Sequence, residues 1–387
     1  MKRTYDVVIV GGGAVGLSIA LRLARAKLDV VVLEKGPVGR EASWAGAGLL
    51  SPLDAVASSP AGLFHDHSLI MFEEFCARLQ EDSGIDPEFN RCGEIHLLSD
   101  EEELEQARQL IRDRDHWFPG SSDPAFEWVE SSQIHRLDPR IEWGGIGAFF
   151  SRFSAQCRTT RFMAALAASC RRAGATLIEG CMVESLIGDE PGLIDNHVIQ
   201  GVRTPIGEFS AEHVIVAAGA WSSEFSPRLA SVTPVRPVRG QMILLQSQPG
   251  WLQVAVSHRH KYLVPRRDGR ILLGATLEAQ AGFTKRVTPR GMAELIDAAS
   301  AMCPTINGLA VESNWSGLRP GTPDGLPHIG RLGTGLIVAT GHYRTGLTLA
   351  PATAEAVEAL LESRTLPVPL DFCRPGRGPQ LVSPSAG

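Results

Sequence analysis

No two of the seven cysteines (Cys76, Cys92, Cys157, Cys170, Cys181, Cys303 and Cys373) stand in C-x-x-C spacing, and their number is odd. Neither a disulfide framework nor a thiolate zinc site is expected, and they read as reduced, small apolar residues of a cytoplasmic protein. A basic surplus is also missing. The net charge is -6 and no run of Lys and Arg follows one face, which excludes nucleic acid as a main partner. No stretch reaches the roughly 18 apolar residues of a membrane span. The opening MKRTYDVVIVGGGAVG has two early basic residues, but Asp6 and three consecutive glycines break it as a leader. The histidines lack metal-ligand spacing and no G-x-S-x-G occurs, so neither a metal nor a serine nucleophile is expected.

What is present is a 387-residue chain, 44% apolar, which is more than one compact domain needs and predicts two lobes. YDVVIV, a glycine turn, AVGLSIALRLARA and VVVLE read in succession as strand, turn, helix and strand. In that setting Gly11, Gly13 and Gly16 form G-x-G-x-x-G around Ala14 and Val15, with Glu34 and Lys35 closing the second strand. Glycines let the backbone approach a pyrophosphate, the helix N-terminus offers N–H groups, and Glu34 accepts from ribose hydroxyls. A carboxylate there repels a 2'-phosphate, so NADP is disfavoured. The fingerprint alone does not separate FAD from NAD, but no second one follows, as an NAD(P)H-consuming flavoprotein would often show. REASWAGAGLL adds a cation, a hydroxyl and small residues (Arg40, Ala42, Ser43, Ala47, Gly48, Leu49), a composition suited to wrapping phosphates. VIVAAGAWSS ends a strand on small residues around Gly219 and Trp221.

Helical patterns are expected in HDHSLIMFEEFCARLQEDSG, in DEEELEQARQLIRDRDHW and in residues 159–176 up to Gly174. A short strand, IHLL, lies between the first two. From residue 232 the pattern turns to strands (QMILLQ, KYLVP, RILLGAT) with RRDGR as a hairpin turn, and residues 335–362 return to strand and helix. The tail from Arg374 reads as disordered.

SWAGAGLL, VAAGAW, HKYLVPRRDGRILLGAT, GLRPGTPDGLPHIG and GHYRTGLTLAPAT, together with GGGAVG and Glu34, are similar to the D-amino acid oxidase superfamily of FAD enzymes. Within it the chain resembles the glycine oxidases of thiamine biosynthesis. The resemblance runs to about residue 362. It departs at Ala155–Arg158, where relatives often carry an acidic residue followed by proline. It implies an α/β fold: a Rossmann-like FAD-binding domain (1–80, 155–225, 316–365) interleaved with a β-rich α+β substrate domain (81–154, 226–315), with 374–387 as tail. It also implies non-covalent FAD, a small amino-acid substrate, oxygen as acceptor and a homo-oligomer. The implied reaction is hydride loss from glycine, sarcosine or a small D-amino acid to flavin N5. The resulting imine hydrolyses to glyoxylate and ammonia, and oxygen becomes hydrogen peroxide. The alternative is a D-amino acid or sarcosine enzyme passing electrons to a quinone.

Four residues are expected at the substrate. Arg319 follows apolar Trp315 and Leu318, precedes Pro320, and needs an anion; a structural ion pair would satisfy it equally, and the resemblance implies the substrate carboxylate. Tyr262 and His260 are expected on one face of KYLVP, two residues apart. Arg344 should face the substrate carboxylate with Arg319, or else the flavin. By the same resemblance His342, Tyr343, Thr345, Gly346, Leu347 and Thr348 contact the flavin from a turn before a helix N-terminus, and Val183 closes over the adenine end.

Overall fold

The computed structural model describes residues 3–52, 59–111, 124–188, 198–366 and 368–377. Strand Thr4–Val10 passes through the glycine turn into helix Ala14–Arg25 and back to strand Val30–Leu33, which pairs with the first in parallel from Val7↔Val30 to Val10↔Leu33. All four residues of Val30–Leu33 are buried, as a strand covered on both faces requires. The unit belongs to an eight-stranded sheet. Its main path runs His328–Arg331, Leu336–Thr340, Gly207–Val216, Thr4–Val10, Val30–Leu33, Thr176–Ile178, and two short strands branch from Gly207–Val216. Helices Ala14–Arg25, Pro60–Ser83, Thr159–Ala173 and Ala350–Glu362 share one core with it, through Leu17, Phe72, Phe162 and Val357.

A second eight-stranded sheet runs Ala310–Gly321, Arg236–Gln246, Ile271–Gly274, Lys261–Pro265, Ala255–His258, Glu94–Leu98, Gly147–Ser151, Glu127–Glu130. The expected strands fall within it, and RRDGR is a tight turn in which the Gly269 N–H donates to the Arg266 carbonyl at 2.9 Å. One expectation is corrected here, and one element is new. Strand Ala310–Gly321 pairs with Arg236–Gln246 up to Arg236↔Gly321, so residues 316–321, expected in the dinucleotide lobe, complete the second sheet instead. The antiparallel ladder carries the chain straight through that boundary, and Arg319 with it. Helix Pro289–Met302 was not expected, although Thr288, whose hydroxyl accepts from the Gly291 N–H at 3.1 Å, followed by Pro289, is its start signal. The helical pattern from Asp100 appears as Glu101–Ile111, and its remainder lies outside the described residues.

The start of the tail is not loose. Arg377 forms a two-pronged pair with Asp324, Nε to Oδ2 and Nη2 to Oδ1 both at 2.9 Å, with side chains only 5% and 4% exposed. The Gly376 N–H donates to the Val232 carbonyl at 2.8 Å. The expectation of disorder therefore fails for residues 374–377, because a buried carboxylate 53 positions away holds them; residues 378–387 lie outside the described residues. Burial alone would raise the Asp324 carboxyl, but Arg377 and the Leu326 N–H hold it below the ordinary carboxylate range. Asp324→Asn strands a buried guanidinium and is expected to cost about 3 to 5 kcal/mol, read from urea unfolding against wild type.

Candidate active site

A cavity of about 1590 Å³ is lined by residues of both sheets. Gly11, Gly13, Ala14 and Val15 form one wall, and Glu34 and Lys35 come from the end of the second strand. Gly11 needs to be glycine: its φ is +107°, and a Cβ there would lie 2.5 Å from the Ala217 carbonyl oxygen. Gly16 does not reach the cavity. It lets helix and strand close up, since a Cβ would run into the Gly11 carbonyl. Glu34 Oε2 accepts from the Gly12 N–H at 2.7 Å and Oε1 from the Gly36 N–H at 3.0 Å, which fixes the carboxylate at the cavity wall. Ser43 Oγ accepts from the Ala14 N–H at 2.9 Å, so the segment after the second strand is tied to the helix N-terminus.

Ala42, Ser43, Ala47, Gly48 and Leu49 line the cavity, as do Val183, Gly219 and Trp221. Arg40 does not. Its guanidinium lies 5.0 Å from the Trp44 ring in a separate surface groove, so its expected phosphate role fails on geometry. Lys35 Nζ sits 3.0 Å from the Trp221 ring centre. Burial lowers its pKa, and this outweighs the neighbouring Glu41 and Glu34 carboxylates.

His342, Tyr343, Arg344, Gly346, Leu347 and Thr348 also line the cavity. They form successive turns, and helix Ala350–Glu362 begins only after them, so the helix expected from the LTLAPAT segment starts three residues past Leu347, a shift of less than one turn. Thr345 is not on the wall; its hydroxyl and N–H both donate to the His342 carbonyl, each at 3.0 Å. His342 is 2% exposed and hydrogen-bonds Thr353 Oγ1 through Nε2 at 3.0 Å. Burial, with His328 adding, pushes its pKa down to about 3; burial, with Arg377 adding, brings that of His328 to about 4.

Both folded values lie below the ordinary 6.5. The unfolded chain therefore binds protons first, and stability is complete above about pH 6.5 and declines on acidification through that window. Each histidine contributes a slope of up to about 1.4 kcal/mol per pH unit. His342→Gln is expected to flatten the fall of Tm between about pH 6.5 and about pH 4, as followed by thermal melts.

Arg319, Tyr262, His260 and Arg344 meet in the same cavity. Arg319 Nη1 donates to the Thr276 carbonyl at 3.1 Å, and no carboxylate among the described residues pairs with it. Gly240 makes room for it, since a Cβ there would collide with the guanidinium. Neither Gly240 nor Thr276 carries a sequence signal; only strand pairing brings them to Arg319. The Tyr262 hydroxyl donates to Met242 Sδ at 3.6 Å. His260 lies in the turn between Ala255–His258 and Lys261–Pro265, not on the strand as expected, because the hairpin tightens after His258. There its Nδ1 accepts from Arg344 Nη1 at 2.8 Å.

A family model described as DAO, FAD dependent oxidoreductase, matches residues 6–360. The chain belongs to this family. Glycine oxidase of Pseudomonas putida is 36% identical over 92% of this chain and 94% of its own length. The bifunctional protein ThiO/ThiG of Synechocystis is 33% identical over 93% of this chain and 52% of its own. The crystal structure of glycine oxidase from Geobacillus kaustophilus superposes with a TM-score of 0.88 at 32% identity, covering 97% of this chain and 100% of that one.

FAD is the cofactor of this family member, and the cavity fits it. The glycine turn exposes backbone against one end, and Glu34 stands where ribose hydroxyls would meet it. At Gly219, with φ +55°, a Cβ would meet nothing within 4 Å and would stand in open space beside the cavity wall. No group of three or more His, Cys, Asp or Glu able to hold a metal occurs among the described residues, and none of their helices is long and apolar enough to cross a membrane.

Proposed function

We propose that this protein is an FAD-dependent oxidase of glycine and related small amines. The observation that carries the reading is Arg319, a guanidinium at the cavity wall without a protein carboxylate among the described residues. Its planar fork suits the two oxygens of a substrate carboxylate. Tyr262 supplies a hydroxyl and an apolar wall beside it. Arg344 is turned toward the hairpin that carries Tyr262, which supports a place at the substrate carboxylate rather than at the flavin.

FAD, when bound, supplies the hydride acceptor. The protein's own task is to hold the carboxylate, present the α-carbon and keep water away from it. The product is an imine that hydrolyses to glyoxylate and ammonia, with oxygen reduced to hydrogen peroxide. The relatives named glycine oxidase and ThiO/ThiG support glycine as substrate and thiamine thiazole synthesis as destination. Anaerobic mixing of the purified protein with glycine, sarcosine or D-alanine tests this. Glycine is expected to bleach the visible flavin bands, whereas bleaching by D-alanine alone would reject the reading.

A further inference from the structure

The cavity extends well past the residues that glycine needs. It has to hold FAD as well as the substrate, and beyond Arg319 and Tyr262 its lining continues along one face of the second sheet to Ser257, His96 and Glu94. Met242, Gly274, Tyr262, Ser257 and His96 are successive partners in one row across five strands. Arg319 lies on the edge strand on the Met242 side of Tyr262, whereas Ser257 and His96 lie on the other side. Two strand spacings, roughly 10 Å, separate the Tyr262 strand from the His96 strand.

At that far end stands Glu94, 2% exposed yet on the cavity wall. Its Oε1 accepts from Ser257 Oγ at 2.6 Å and its Oε2 from Ser154 Oγ at 3.0 Å. Because Ser257 donates to Glu94, its oxygen is left to accept from His96 Nδ1 at 3.0 Å. Proton donors thus run from imidazole to hydroxyl to carboxylate, and the charge they converge on is negative. Farther along, Asp100 and Glu102 also line the cavity, and the guanidinium there, Arg259, is paired with Glu103 at 2.6 Å. Arg319 thus stands at one side of this row and the carboxylates at the other, with Arg344 held at the hairpin turn by His260.

We propose that Glu94, Ser257 and His96 form a subsite for a positively charged substituent on the substrate amine, so that the enzyme takes N-(aminoalkyl)glycines besides glycine. The assignment rests on the proposed function, because it assumes the carboxylate at Arg319. With that end anchored, the amine and whatever it carries point across Ser257 toward Glu94. The chemistry at the α-carbon is unchanged, and only the substituent is recognised.

Three substrates of matched length separate charge from size: N-(3-aminopropyl)glycine, N-butylglycine and N-(2-carboxyethyl)glycine. The aminopropyl compound is expected to exceed the butyl one at least about tenfold in kcat/KM, and the carboxyethyl compound to be the poorest. In Glu94→Gln, which keeps the side-chain shape and can still bond both serines, the aminopropyl-to-butyl ratio should fall to near one. A purely structural Glu94 would lower Tm and all three rates together, leaving the ratio intact, and would overturn the proposal. Should that variant not fold, the wild-type series alone decides: equal rates, or preference for the carboxyethyl compound, overturns it. Flavin that glycine fails to bleach refutes the proposed function instead, so the two failures are distinguishable.

Discussion

An Arg319→Met variant is expected to lose roughly ten- to a hundredfold in kcat/KM for glycine while still purifying with its flavin. The magnitude follows from a hydrogen-bonded charge pair worth about 1.5 to 3 kcal/mol in binding or transition-state terms. Methionine keeps much of the length and loses the fork. Arg319 donates to the Thr276 carbonyl and packs over the bare backbone of Gly240, so its place in the fold does not depend on a protein counter-charge. Removing the guanidinium therefore strands no carboxylate among the described residues, and the cost should fall on catalysis more than on stability. Arg319→Lys should recover only part of the loss, since an ammonium is a point charge without the planar fork. Steady-state kinetics with unchanged kcat and KM would place the substrate carboxylate elsewhere in the cavity.

The second large effect is expected at Gly11. Gly11→Ala forces a side chain into a backbone region that only glycine enters easily, with φ at +107°, and drives the Cβ against the Ala217 carbonyl, which belongs to the neighbouring strand end. Backbone strain and overpacking together are expected to cost roughly 3 kcal/mol or more. Because Gly11 also lines the cavity, the variant should emerge with little bound flavin. Gly84→Ala is the control: its φ is +72°, but nothing lies within 4 Å of the added carbon. It should cost about 1 kcal/mol and keep the yellow colour. Absorbance spectra and denaturation of both variants check this, and equal losses in the two would show that the close approach at Gly11 is unimportant.

The legible parts of this protein were those in which neighbours along the chain decide the geometry. Residues 5–34 fold as strand, turn and helix because period and glycine placement act over a few residues. Arg319 could be singled out because an arginine among apolar neighbours needs an anion, but the sequence left a structural ion pair equally open. The strand ladder settled its surroundings by bringing Thr276 and Gly240 to it. Composition cannot say which way the Arg40 side chain leaves its loop, and it turns to Trp44. His260 was placed on a strand that had already become a turn.

The sequence by itself determined the dinucleotide turn and the alternation of α/β and β-rich segments, and it singled out Arg319, Arg344 and Tyr262 as candidates to meet a carboxylate. Only the tertiary structure decided what those groups face. Glu94 and Ser257 are 163 positions apart, Arg344 and His260 are 84, and Arg377 and Asp324 are 53. Periodicity and turn chemistry act over a few residues, whereas these pairs are joined by sheet register and chain crossings that no local pattern encodes. The second sheet's register places a hydroxyl and an imidazole, Ser257 and His96, in line with Tyr262, and sets the Glu94 carboxylate two residues along the same strand as His96, opposite Ala255.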